Sequence, residues 1–417
     1  MDIYLITGII SIVAGFYMAW TIGANDVANA MGTSVGSGAL TLKQAVIVAA
    51  IFEFAGAVLV GSHVTDTIRK GMVDPVVFSA NPDVLMIGML SALIASAIWL
   101  QLATHWGLPV STTHSIVGAV VGFALIAVGS SAVSWGKVSQ IVASWVISPV
   151  MGGVIACTMF IFIRNRVLDR NHPIASVKKY APYLVFVLFA ILTLSLVYKG
   201  LKNLKLDLPL SQALGAAIIV GLVASLIAHI FFRKIKNTGS ENLSGELVTV
   251  EGAFRKLQII TACYMAFAHG ANDVANAIGP LAAIFSISST HVVSMKVPVP
   301  IWILVLGGTG IIIGLATWGY KVIETVGKKI TEMTPSRGFS AEFGAATTVL
   351  VCSKMGLPIS TTHTLVGAVI GVGMARGIAS LNLNIIRNIA YSWIITLPVA
   401  GVLSILFYEL LSTLLLK

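Results

Sequence analysis

Charge is what this chain has least of. Only 10% of its 417 residues are Asp, Glu, Lys or Arg, against 57% hydrophobic. Soluble domains carry roughly 25% charged residues, so a water-soluble enzyme of this length is excluded. Disorder is excluded for the opposite reason, since apolar surface is in excess. Cysteine is scarce too. Cys157, Cys263 and Cys352 all lie in apolar stretches with no disulfide framework or metal-ligand spacing, and they read as small buried residues. Acidic residues number 16 against 26 basic ones, a net charge of +10. A nucleic-acid partner needs the basic residues gathered on one solvated face. Here they sit in short gaps between apolar runs, as in the cytoplasmic loops of membrane proteins. No basic region precedes the first apolar run and no small-residue cleavage site follows it, so it is expected to be a span rather than a signal peptide. The segment 233–256 is the one long polar linker, too short to bury a core of its own.

Long apolar runs, by contrast, are plentiful. A bilayer span needs ~20 apolar residues. Twelve runs are read as spans, at about 3–22, 44–62, 84–105, 114–130, 139–163, 181–198, 209–232, 257–279, 299–320, 340–355, 362–379 and 387–415. The last is long for one span, and Pro398 is placed to kink it. The expected fold is an all-α integral membrane protein of about 12 transmembrane helices.

The chain also repeats itself. Gly23-Ala24-Asn25-Asp26-Val27-Ala28-Asn29-Ala30 recurs as Gly270-Ala271-Asn272-Asp273-Val274-Ala275-Asn276-Ala277, at an offset of 247. Gly107-Leu108-Pro109-Val110-Ser111-Thr112-Thr113-His114 recurs as Gly356-Leu357-Pro358-Ile359-Ser360-Thr361-Thr362-His363, at an offset of 249. Two motifs sharing nearly one offset mean duplication. Residues 1–163 hold five spans, 164–256 two connecting spans and the polar loop, and 257–417 five more. An odd unit followed by an even connector makes the second copy enter from the opposite side, the inverted-repeat plan of secondary transporters. With both termini extracytoplasmic, 17 of the 26 Lys and Arg residues fall on the cytoplasmic side.

Polar groups at membrane depth are costly and mark function. Asn25 and Asn29 share a helix face, and the run Gly32-Thr33-Ser34-Val35-Gly36-Ser37-Gly38 is too glycine-rich for an ordinary helix. A broken or re-entrant helix is expected there and in the second copy, which protein or a water-lined cavity must cover. Asp26 and Asp273, with Asn25, Asn29, Asn272 and Asn276, offer oxygen ligands for a small hard cation; a polar helix–helix contact is the plainer alternative. Pro109 and Pro358 are expected to end a helix, with Ser111-Thr112-Thr113 and Ser360-Thr361-Thr362 at the start of the next. Two such starts, with unpaired N–H groups, a positive dipole end and three hydroxyls each, suit one tetrahedral oxyanion held from both sides; simple capping explains one hydroxyl per helix, not three. His114 and His363 either orient this site or pack in the core. Glu53 and Glu342 are intramembrane acids unique to their halves, as an asymmetric coupling-ion site would have them. Gln101 is a further polar group ahead of the first Ser-Thr-Thr. No Lys or Arg lies in these motifs, so a bound anion needs co-bound cations, and the two then raise each other's affinity. An intramembrane hydrolase using Ser111 or Ser360 is disfavoured, because a nucleophile does not need two copies.

These paired strings, spread over both halves, make the chain resemble the inorganic phosphate transporter family, the prokaryotic phosphate permeases and the sodium-dependent phosphate symporters of animals. The resemblance implies a transporter rather than an enzyme. It implies phosphate uptake by symport with sodium, a homodimer in the plasma (inner) membrane, and no organic cofactor. Carried over, the phosphate ligands are Ser111, Thr112, Thr113, Ser360, Thr361, Thr362, Asn25 and Asn272, with Gln101 beside them. The sodium ligands are Asp26, Asn29, Asp273, Asn276, Glu53 and Glu342. The family also contains proton-coupled permeases that take metal–phosphate complexes, and relatives that carry sulfate. The loop 233–256 is much shorter than the central loop of the family's eukaryotic members.

Overall fold

The computed structural model describes residues 3–61, 73, 75–197, 208–235, 243–293, 299–354 and 359–416. Among them the chain is helical almost throughout, and the isolated bridge between Val73 and Val133 is the nearest thing to a strand. Helix is what lipid dictates, because each backbone N–H and C=O must find its partner within the span. The first half forms α1 (Ile3–Asp26), α2 (Ala28–Gly36), α3 (Leu42–Val60), α4 (Pro82–His105), α5 (Thr112–Ala127) and α6 (Trp135–Ile163). A hairpin of α7 (Pro173–Ser195) and α8 (Leu210–Arg233) follows. The second half forms α9 (Leu243–Thr290), α10 (Ile301–Trp318), α11 (Tyr320–Glu324), α12 (Pro335–Lys354), α13 (Thr361–Arg376) and α14 (Leu383–Leu415).

Each of the twelve apolar runs overlaps a described helix, with residues 62, 198 and 355 outside the described residues, and among the described residues eight helical stretches are long and apolar enough to cross a membrane. α5 and α13 have only 16 residues each. At ~1.5 Å per residue they fall short of a ~30 Å hydrocarbon core, so one end of each stops inside the protein. The outer helices turn apolar side chains outward, as lipid allows: α8 exposes Leu222, Leu226 and Ile230, and α14 exposes Ile394, Val402 and Leu406.

Small residues set how closely the inner helices cross. A Cβ on Gly23 of α1 would strike the backbone of Ile311 in α10, and one on Gly314 of α10 would strike that of Trp20. α3 and α9 meet the same way, Gly270 against Glu53 and Gly56 against Phe267. A second set joins α5 to α14, through Gly118 on Leu397 and Gly122 on Gly401, and α13 to α6, through Gly367 on Pro149 and Gly371 on Gly153. Each crossing pairs a helix of one half with a helix of the other. Backbone-to-backbone packing of this kind is how helices associate where lipid removes the hydrophobic drive between them.

Two expectations about helix ends need correction. The glycine-rich run does not break the helix. The interruption is at Val27, and α2 continues through Gly32 to Gly36 before Ser37–Leu40 turn away. Glycine is tolerated because α2 lies on a π-helical turn at Thr325–Lys329, where Gly36 and Gly327 meet backbone to backbone and Gly32 packs on Val326. In the second copy there is no break at all, since α9 runs unbroken through Asn272, Asp273 and Asn276 and carries Pro280 inside it. Pro109 does not end α4 either. The helix stops at His105, with Gly107 at φ +67°, its N–H on the Thr104 carbonyl and the Leu108 N–H on the Ala103 carbonyl, the Schellman arrangement in which glycine takes the left-handed position. The equivalent Pro358 lies outside the described residues.

The crossing of α3 and α9 generates a stability prediction. Gly270→Val is expected to lower the thermal unfolding midpoint in detergent, followed by tryptophan fluorescence, by the equivalent of about 1–3 kcal/mol. Gly215→Val in α8, where a Cβ meets nothing within 4 Å, should leave the midpoint in place. Equal stability of the two variants would contradict the close crossing.

Candidate functional site

The short helices α5 and α13 begin where the sequence places the Ser-Thr-Thr strings. Ser111 and Ser360 are their N-caps, each accepting the N–H three residues on: His114 N–H at 3.3 Å and His363 N–H at 3.2 Å. The two starts come together in the middle of the protein. The rings of His114 and His363 lie 4.7 Å apart, edge to face, and His363 stacks on Trp393 at 3.8 Å. Both histidines therefore pack in the core behind the helix starts.

Asp26, at the end of α1, joins the two starts. Thr112 Oγ1 donates to its Oδ2 at 2.7 Å, and Thr362 Oγ1 donates to its Oδ1 at 2.9 Å. Asp273, on α9, accepts from Thr361 at 3.2 Å and from Asn276 Nδ2 at 3.2 Å. The same Asn276 amide reaches Thr112 Oγ1 at 3.1 Å and Thr113 Oγ1 at 3.3 Å. Asn272 is half-buried and donates to Asp273 Oδ1 at 3.2 Å. Asp26, Asp273 and Asn276 are buried.

Asn25 does a different job. Its Nδ2 donates to Thr104 Oγ1 at 2.9 Å and to the Leu108 carbonyl at 3.0 Å, and its Oδ1 accepts from Val110 N–H at 3.1 Å. One amide thus satisfies the irregular backbone that leads into α5, which lipid would otherwise leave unpaired. The Asn29 side chain lies outside the described part of the structure.

The two glutamates occupy separate places. Glu53 approaches the aspartates through His269. Its Oε1 is 3.2 Å from His269 Nδ1, while His269 Nε2 is 3.0 Å from Asp273 Oδ2 and 3.8 Å from Asp26 Oδ2. Glu342 sits in a cage of its own. Its Oε1 accepts from Thr33 at 2.6 Å, Ser34 at 3.0 Å and Gln258 Nε2 at 3.2 Å, and its Oε2 accepts from Thr261. Ser37 donates to Gln258 Oε1 at 2.7 Å, tying the turn after α2 to the same cage. Gln101 joins neither cluster; its Oε1 accepts from the Tyr17 hydroxyl. Among the described residues no lysine or arginine bonds to these acids.

His269, Gln258 and Thr261 were missed by sequence reasoning. The signal for His269 was its place one residue before the second Gly-Ala-Asn-Asp, where the first copy has Ile22, and four before Asp273 on one helix face. Gln258 and Thr261 were legible as two polar residues three apart in an otherwise apolar run.

Chemically, the arrangement offers three buried carboxylates, several hydroxyls and amides, two helix starts and one imidazole. Such a donor set suits cations, and an anion placed among these carboxylates needs a cation's charge beside it. A sequence model described as the phosphate transporter family matches residues 22–404. A protein of Pyrococcus abyssi provisionally named a phosphate permease is 48% identical over 412 residues, covering 99% of this chain and 98% of its own. The Arabidopsis thaliana protein "Inorganic phosphate transporter 2-1, chloroplastic" is 46% identical, covering 94% of this chain and 70% of its own. A solved structure described as "The sodium-dependent phosphate transporter" matches with a TM-score of 0.88 at 46% identity, covering 98% of this chain and 99% of its own.

The asparagine clamp is testable. Asn25→Leu, close in shape, strands the Val110 N–H and is expected to cost about 1–3 kcal/mol, read as a lower unfolding midpoint. Asn272→Leu removes one bond to its neighbour and should cost clearly less. The reverse order would place the structural clamp elsewhere.

Proposed function

The chain belongs to the phosphate transporter family, and from that premise we propose that it imports inorganic phosphate by symport with sodium. Phosphate transport across a membrane in multiple passes follows from the family. The sodium clause, the site assignment and the architecture are our own reading. One observation carries it: Asp26 accepts hydroxyls from both helix starts, Thr112 from the first half and Thr362 from the second.

The mechanism follows from the charges. Asp26, Asp273 and Glu53 come together at one buried place around a single imidazole, that of His269. Sodium ions at Asp26 and Asp273, with Asn276 and the threonine oxygens, make the site able to accept phosphate. The hydroxyls of Ser111, Thr112, Thr113, Ser360, Thr361 and Thr362, now engaged by carboxylates, the Asn276 amide, helix-cap N–H groups and a carbonyl, then turn to the phosphate oxygens, helped by the dipoles of α5 and α13. Each ligand raises the affinity of the other, and this mutual dependence is the coupling. The likeness to a structure described as a sodium-dependent phosphate transporter supports sodium as the ion. Glu342, caged by hydroxyls and an amide, is a second cation locus with the same hard donors.

We further propose that 1–163 and 257–417 are inverted repeats joined by 164–256, that both termini are extracytoplasmic in the plasma (inner) membrane, and that two copies assemble as a homodimer. The glycine crossings support the first point. Gly23 on Ile311 and Gly270 on Glu53 use equivalent motif glycines, and so do Gly118 on Leu397 and Gly367 on Pro149.

Reconstituted proteoliposomes test this reading. Uptake of labelled phosphate is expected to need an inward sodium gradient, and uptake driven as well by a proton gradient without sodium would overturn the sodium clause. Asp26→Asn and Asp273→Asn should weaken sodium dependence. Thr112→Val and Thr361→Val should raise the half-saturating phosphate concentration roughly 5- to 10-fold, the loss of about one hydrogen bond.

A further inference from the structure

His269 is the one member of the central cluster that an alkali-metal site does not call for. Sodium is a hard ion held by oxygen, whereas an imidazole nitrogen suits the first-row transition metals. We propose that Asp26, His269 and Asp273 form a binding site for one divalent transition cation, with Glu53 orienting the imidazole from behind. The inference rests on reading this cluster as the transporter's cation site, and it names a second class of cation for it.

The donor geometry carries the argument. One ligand atom from each of Asp26, His269 and Asp273 lies within 4.8 Å of the others, and all three residues are buried. His269 and Asp273 are four apart on α9 and so project from one helix face, while Asp26 comes from α1 in the other half. His269 Nε2 lies near both aspartates and its Nδ1 near Glu53, so both ring nitrogens face carboxylate oxygen. An ion bridging the two aspartate carboxylates would lie within reach of Nε2, which is 3.0 Å from Asp273 Oδ2 and 3.8 Å from Asp26 Oδ2. Behind the ring, Glu53 Oε1 stands 3.2 Å from Nδ1. Metal-ligating histidines regularly carry a carboxylate on the far nitrogen, which fixes the tautomer and strengthens the ligand.

Charge points the same way. Asp26 and Asp273 face the same His269 ring nitrogen, 3.8 and 3.0 Å from it, and one divalent ion supplies two units of positive charge at a single point. Such an ion tethers α1 of the first half to α9 of the second and excludes sodium from the same aspartates. The site therefore gives transition metals a direct route to inhibit sodium-driven uptake by competition.

The test uses the purified full-length protein in nanodiscs, in buffer free of phosphate and sodium, titrated with cobalt(II) chloride. The expected result is one equivalent of cobalt per chain with the visible spectrum of a nitrogen- and oxygen-ligated ion, displaced as sodium is added. His269→Gln should abolish that spectrum, and Glu53→Gln should weaken binding by about 10- to 100-fold. His291→Ala, at an exposed position, should change nothing. Pulsed electron paramagnetic resonance of the manganese(II)-loaded wild type keeps the proposal testable even where a variant fails to fold, because it should show the nitrogen of one imidazole. Absence of cobalt binding, cobalt bound only when phosphate is present, or a manganese spectrum without imidazole nitrogen would each overturn the site. Sodium-driven uptake together with no cobalt binding removes this inference alone. Cobalt binding that sodium does not displace supports the metal site and counts against sodium ligation by the two aspartates.

Discussion

A carboxylate inside a membrane protein must be paired, hydrogen-bonded or neutralised, and Asp26 is the point at which this chain meets that demand. It is met by threonine hydroxyls from two different helix starts, one per half of the chain. That single shared acceptor holds α5 and α13 tip to tip, and the histidine pair packs in behind them. A basic side chain in the same place would have neutralised the acid permanently. Hydroxyls stabilise it without cancelling its charge, as the proposed cation site requires.

The rest of the architecture brings polar side chains to one depth without leaving backbone unpaired. Glycine is the means of approach. Where Gly270 lies on the backbone of Glu53, α9 and α3 come close enough for His269, the residue before that glycine, to reach the Glu53 carboxylate. Asparagine is the means of closure, since Asn25 takes up the polar atoms of the stretch that enters α5. Both devices answer one constraint, that irregular backbone at membrane depth survives only when protein covers it. In its first copy the motif Gly-Ala-Asn-Asp thus packs three tasks into four residues: close approach at the glycine and alanine, support of the loop at the asparagine, and charge at the aspartate.

Much of this was legible in the sequence because duplication marks what matters. The helical membrane class, the two Ser-Thr-Thr helix starts with serine as cap, and the convergence of the aspartates on them are all written in repeated strings. What was hidden is what the repeat does not contain. His269 has isoleucine as its counterpart, so a search for paired motifs passes over it. Glu342 was visible as an acid, but its cage draws Thr33 and Ser34 from α2, Gln258 and Thr261 from α9, residues more than 200 positions apart across the two helices. The interruption at Val27 was misplaced because glycine propensity describes helices in water, whereas the Gly32–Gly36 stretch is held by contact with Gly327. Gln101 lies ahead of the first Ser-Thr-Thr in the sequence, yet its position on α4 turns it toward α1, where it accepts from the Tyr17 hydroxyl.

The deeper consequence is that a paired scaffold carries an unpaired set of charges. The Asp26 and Asp273 sites are equivalents, but Glu53, His269 and Glu342 have no counterparts in the other half. Two identical halves facing opposite ways would give a protein with no energetic difference between its inward and outward forms beyond what the membrane imposes. An acid cage on one half and an acid–imidazole pair bridging both break that equivalence. In the proposed symport cation occupancy would weigh differently on the two sides, and a ligand shifts a conformational equilibrium only through such a difference in affinity between states. Under the proposed function, asymmetry placed on a duplicated frame would let ion binding favour one conformation over the other.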